Sequence, residues 1–181
     1  MAVMTIRVEP EEIHIRADRR LAFEVVTSFG GKDGQTGASP RVLEEDGDRL
    51  LIEFRTPVEF GFGIKRNFRT VEWLTLKEPE QIDFELVPGK GPITGGLKRL
   101  DDRFLLEDVD GCTEFRYEST FCIRWSLFGW LLGKLLLQRT IKRHMRHHLA
   151  ELKETIEARA KRSRVYPLEC PHETDPRGSS R

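Results

Sequence analysis

The sequence reads as an α+β domain: a curved antiparallel sheet of about seven strands wrapped around one long C-terminal helix. Three features point to it. Residues 41–124 read as alternating runs divided by turn signals, two of them containing Asp-Gly. Residues 126–162 lack proline and carry apolar residues at steps of three and four. One strand and one capped helix at 11–28 precede both. A sheet with one apolar face must cover that face, and the last helix is the only long element available to do so.

Glu11–Ala17 reads EEIHIRA, in which Ile13 and Ile15 alternate with polar residues as in a half-buried strand. Asp18 is placed to cap a short helix over 19–28, where Leu21, Ala22, Val25 and Val26 recur at helical spacing. Gly30–Pro40, GGKDGQTGASP, is a loop. It lacks the GxxxxGK[ST] spacing and follows a helix, so it is not read as a phosphate cradle.

Arg41–Glu45 meets Arg49–Thr56 across Asp46-Gly47-Asp48. Arg66–Leu76 follows and ends before Glu78-Pro79. Gln81–Val87 sets Ile82, Phe84 and Leu86 on one face against Asp83 and Glu85 on the other. Leu97–Asp108 and Thr113–Ile123 are joined at Val109-Asp110-Gly111, and Phe115, Tyr117, Ser119, Phe121 and Ile123 share a face. Such a sheet is apolar on one side and wet on the other, hence antiparallel. In the last helix the stripe is Leu131, Leu135, Gln138, Ile141, Met145, Leu149, Leu152 and Ile156. The domain is drawn over residues 1–163, and 164–181, rich in Pro, Gly, Ser and charge, as a disordered polar tail.

Three stretches resemble a known superfamily. They are EEIHIRADRRLAFEVVTS at 11–28, EDVDGCTEFRYE at 107–118 and WSLFGWLLGKLLLQRTIKRHMRHHLAELKETIEA at 125–158. The chain resembles the START and birch-pollen-allergen-like (SRPBCC) superfamily, in its polyketide cyclase/dehydrase-like or coenzyme Q-binding-like branch. Gly111-Cys112-Thr113 is similar to its GGT turn, and Leu132–Leu136 to its "lgrll" element. The resemblance covers roughly residues 7–163. It implies the helix-grip fold, with seven strands around the C-terminal helix and a hydrophobic cavity between them. It implies a ligand such as a lipid, quinone or polyketide, and in some members cyclase or dehydratase activity. The glycine-rich 30–40 segment departs from the pattern, which has short helices there, and implies a more open side to the cavity.

Strand parity offers Phe54, Phe68, Phe84, Phe104, Tyr117 and Phe121 as cavity residues, with Leu131, Leu135 and Met145 facing them from the helix. Parity is least secure over 66–76. Tyr117 is the candidate with a chemical handle, because a buried hydroxyl requires a partner. No catalytic residue is assigned from the sequence; Tyr117 is the first candidate. Glu72, Asp101, Asp102 and Arg103 are the charged residues placed to reach an interior, where a cyclase needs an acid or base of shifted pKa. No Ser/His/Asp set, HExxH or paired-carboxylate motif is present, so a non-enzymatic ligand binder is preferred to a cyclase/dehydratase. A partner-binding regulatory module is the third reading.

The chain has 181 residues, 33% of them charged, a mean hydropathy of −0.47 and a net charge of +0. No apolar run is long enough to span a bilayer, and the acidic start does not read as a signal peptide. Neutrality disfavours a general nucleic-acid binder. It conceals a division, however: net −7 over residues 1–123, +8 over 124–164 and −1 over 165–181. Arg139, Lys142, Arg143 and Arg146 lie off the helical stripe and follow Trp125–Leu137, in which nine of thirteen residues are apolar. Burial of that stretch is the simpler reading. The alternative is an exposed lip beside a basic strip that meets an anionic membrane or an acidic protein. His144, His147 and His148 lack a third ligand, so no metal and no cofactor is expected. Three cysteines at irregular spacing disfavour a disulfide framework and point to the cytoplasm.

Overall fold

The computed structural model describes residues 3–28, 40–59, 65–88, 97–124 and 127–166. The glycine-rich 30–39 segment, the 89–96 loop and most of the C-terminal segment lie outside the described residues, and so do the expectations placed on them. The elements run β1 (Val3–Ile15), α1 (Arg19–Thr27), β2 (Arg41–Asp46), β3 (Arg49–Glu59), β4 (Lys65–Lys77), β5 (Gln81–Leu86), β6 (Leu97–Val109), β7 (Cys112–Arg124) and α2 (Leu127–Ala160). The strands form one curved sheet of order β1-β7-β6-β5-β4-β3-β2, antiparallel at every pairing. Strands β2 to β7 are a meander. β1 adds to the outer edge of β7, the only strand pairing among the described residues between elements far apart in sequence.

Local chemistry sets the joints. Asp18 caps α1, its Oδ1 accepting from the Arg20 N–H at 2.7 Å. Gly47 (φ 62), Asp110 (φ 52) and Gly111 (φ 78) take the left-handed conformations that two-residue hairpins require. β1 begins eight residues before the strand predicted at Glu11, and it contains a bulge between Val8 and Glu11. Pro10, inside that bulge, has no N–H to give to a ladder. The extra residue shifts parity, so Ile6 and Val8 before it share the inner face with Ile13 and Ile15 after it.

The core lies between the inner face, α1 and the C-terminal half of α2. Ile15, Leu21, Ile52, Leu74, Ile82, Leu106, Phe115, Leu149 and Ile156 are fully buried there. Two polar contacts, one buried and one half-buried, fasten the elements. Thr113 Oγ1 donates to the Ala17 carbonyl at 2.8 Å, and the Arg16 N–H donates to Glu157 Oε1 at 3.0 Å. Tyr166, past the boundary drawn at residue 163, packs against the core and donates from its hydroxyl to Glu24 Oε1 at 2.7 Å. Cys122 is a free thiol, whereas Cys112 is disulfide-bonded. The cysteine arithmetic thus misses a bridge, because an odd count excludes complete pairing and not a single pair.

Candidate functional site

Antiparallel pairing carries the inner face across the sheet one residue at a time. Leu74 on β4 opposes Phe84 on β5, Phe84 opposes Asp102 on β6, and Asp102 opposes Ser119 on β7. One row away, Ile82 opposes Phe104, and Phe104 opposes Tyr117. On the other side Glu72 lies between Ile52 and Leu86. The rings form a chain: Phe54–Phe84 at 6.4 Å, Phe84–Phe104 at 4.8 Å, Phe104–Phe115 at 5.1 Å and Phe104–Tyr117 at 5.5 Å between centroids. Tilted and edge-on contacts of this kind suit the charge distribution of aromatic rings.

Two acids sit in this aromatic field. Burial pushes the Glu72 carboxyl up to about 7, and the charge of Asp102 adds to the rise, although Thr70 Oγ1 donates to Glu72 Oε1 at 2.6 Å. Burial likewise pushes Asp102 up to about 6, against hydrogen bonds from Ser119 and Tyr117 that favour its ionised form. Asp102 Oδ1 is buried and has no hydrogen-bond partner among the described residues. Burial also raises the Tyr117 hydroxyl well above its ordinary range, and the neighbouring Asp102 charge adds to this. Tyr117 therefore stays protonated and acts as a donor. An orphaned carboxylate oxygen is costly to bury, because it has lost water and gained nothing in return.

Among the described residues α2 approaches β1 and α1 with its backbone, but none of strands β2 to β7. Its side chains Met145, Leu149, Leu152 and Ile156 pack in one core with inner-face residues such as Leu74, Ile82 and Phe84.

Of the residues drawn to a cavity from parity, Phe84 and Tyr117 are buried and Phe54, Phe104 and Met145 are half-buried against the core. The backbone register opposes Phe68 to Thr56 and Phe121 to Ile6. The side chains of Phe68, Phe121, Leu131, Leu135 and Arg139 lie outside the described residues. The four charged residues placed near an interior divide evenly. Glu72 and Asp102 face inward, whereas Asp101 pairs with Arg99, and Arg103 donates to Asp83 at 2.7 Å on the outer face. Ser119, buried beside Asp102, was missed as a site residue. Its signal was its place two residues after Tyr117 on the same face.

The basic strip is partly engaged within the fold. Lys142 pairs with Glu9 and, at 3.4 Å, with Glu11, and Arg146 donates to both Glu11 oxygens at 3.0 and 3.1 Å. The bulge in β1 is what turns Glu11 toward α2. Arg143 is exposed. His147 and His148 both face Glu151, one turn further on. Among the described residues no group of three His, Cys, Asp or Glu is placed to hold a metal ion, and no helix is long and apolar enough to cross a membrane.

No family model matches the chain, and no curated protein matches its sequence. Solved structures do resemble it. TTHA0849 from Thermus thermophilus superposes with a TM-score of 0.69 at 18% identity, over 86% of this chain and 99% of that one. The Zhui aromatase/cyclase from Streptomyces sp. R1128 gives 0.61 at 12% identity, over 89% and 95%. A START superfamily protein from Mycobacterium smegmatis gives 0.58 at 16% identity, over 87% and 99%. At such identities the likeness is one of fold, a helix-grip fold in which a curved seven-stranded antiparallel sheet is joined by a long C-terminal helix.

Proposed function

We propose that the chain binds a small, largely apolar ligand between the inner face of the sheet and α2. The observation that carries this reading is Asp102 Oδ1, a buried acceptor without a partner set in a row of aromatic rings. Ligand sites characteristically combine an apolar lining with a few convergent polar groups. The fold neighbours include a START protein and an aromatase/cyclase, which supports a hydrophobic-ligand fold. The domain proper is taken as residues 1–163. Titration with the neutral fluorophore N-phenyl-1-naphthylamine is expected to show saturable one-site binding. Ser119→Phe, which fills the floor of the site, is expected to abolish it while the fold persists by circular dichroism. Non-saturable uptake, or binding indifferent to Ser119→Phe, rejects the reading.

The two buried acids favour a second reading, acid–base catalysis on a hydroxyketone. Asp102 as carboxylate takes the proton from the carbon beside the carbonyl, while Glu72 in its acid form protonates the departing hydroxyl, which leaves as water. The proton pair of the site is restored when Asp102 passes its proton back through solvent. The dehydration of 4-hydroxy-4-phenylbutan-2-one to its conjugated enone is followed by absorbance. Turnover lost in Asp102→Asn with binding retained supports it; no turnover in the unmodified protein leaves the chain a binder.

A further inference from the structure

We infer that the polar end of the ligand is a hydrogen-bond donor without negative charge, a hydroxyl, phenol or ammonium, seated on Asp102 Oδ1, and that carboxylate-headed molecules are rejected. The inference rests on the reading of the inner face as a ligand site and adds which chemistry that site accepts.

An ionised carboxylate oxygen accepts and never donates. The neighbouring Ser119 and Tyr117 hydroxyls favour the ionised form of Asp102, yet its Oδ1 has no hydrogen-bond partner among the described residues. The Thr70 hydroxyl is turned to Glu72. A group that satisfies Oδ1 must therefore bring its own proton. An ether or ester head brings none and leaves the oxygen orphaned. A carboxylate head brings a third negative charge to a face that already holds Glu72 and Asp102. Among the described residues no lysine or arginine is buried to receive it. Two cations on α2, Lys142 and Arg146, are turned to Glu9 and Glu11. Like charges in a dry site repel far more strongly than in water. The row of Phe84, Phe104 and Tyr117 favours an aromatic or otherwise flat apolar body behind the donor.

The test holds the apolar body constant and varies the head. The full chain at about pH 8, where both acids are mainly ionised, is titrated with 2-naphthol, 2-naphthylmethylammonium, 2-methoxynaphthalene and 2-naphthoate by calorimetry. At least one donor head is expected to bind about tenfold more tightly than the methoxy compound, with naphthoate weakest. Which donor leads tells a neutral from a cationic head. Asp102→Asn is expected to relax the rejection of naphthoate and reduce the donor advantage to about twofold, with methoxynaphthalene unchanged. If that variant does not fold, the ranking in the unmodified protein decides. Equal binding of the methoxy and donor compounds, or naphthoate as the tightest, overturns the inference and leaves the ligand site standing. Failure of all four probes removes the ligand-site reading and the inference together.

Discussion

Glu72 on β4 and Asp102 on β6 place two carboxyl groups on one buried face. Burial raises both, and the charge of Asp102 raises Glu72 further. Neither acid has a buried basic partner among the described residues. A small domain that keeps two such groups in its interior keeps them at the expense of stability. The direction of the shifts fixes the sign of that cost, which makes it measurable.

Both acids hold a proton more tightly folded than unfolded. The stability they permit is intact near and below the unfolded values of 4.5 and 3.8, and it is lost as pH rises through about 6 and about 7. Denaturant melts are expected to show the protein less stable at about pH 8 than at about pH 5. Glu72→Gln is expected to flatten that decline and to stabilise the protein at about pH 8 by about 2–3 kcal/mol. A stability that rises between those pH values contradicts the assignment.

Tyr117→Phe removes a hydroxyl that favours the ionised form of Asp102. The loss is expected to be about 1–2 kcal/mol at about pH 8, and smaller at about pH 5, where Asp102 is protonated. Paired urea melts at the two pH values read the difference. A loss independent of pH would mean that Tyr117 acts by packing alone.

Thr113 is fully buried, and its Oγ1 donates to the Ala17 carbonyl, joining β7 to the turn before α1. Thr113→Val keeps the shape and deletes the donor. The carbonyl is left unsatisfied, at an expected cost of about 1–3 kcal/mol. Amide exchange in α1 is expected to accelerate, and unchanged protection there would show that the bond does not hold the helix.

Gly47 has φ 62 and open space around the position of a Cβ. Gly47→Ala therefore tests the backbone alone, with an expected cost of about 1–2 kcal/mol in a thermal or urea melt. No clash with a neighbouring side chain contributes, so a neutral substitution would mean that the turn relaxes into another type.

What could be read along the chain was local chemistry. The Asp18 cap, the Asp46-Gly47 and Asp110-Gly111 turns and, of the α2 stripe, Met145, Leu149, Leu152 and Ile156 each depend on residues within a few positions of one another, and each stands where the pattern placed it. The alternation in Gln81–Leu86 is likewise present, with Ile82 and Phe84 inward. Less legible was the start of β1, because Val3–Val8 carries too few turn signals to be set apart from a free terminus. The bulge at Pro10 reversed its parity in a way that spacing alone does not show.

The site divides on the same line. That aromatic residues share one face of an antiparallel sheet, and that a long helix exists to cover it, follows from residue order alone, since strand and helix periods are properties of neighbouring residues. In the run Leu100-Asp101-Asp102-Arg103-Phe104 the parity of Phe104 already favoured Asp102, yet every charge in it could be set on a wet face at no cost. Only pairing with Phe84 on one side and Ser119 on the other turned Asp102 inward and left its Oδ1 without a partner. The folded chain also brought Glu9 and Glu11 against Lys142 and Arg146, more than 130 residues away in sequence. Charges so distant meet only when β1 closes on β7 and α2 crosses it, and so which cations stay exposed was set by the fold.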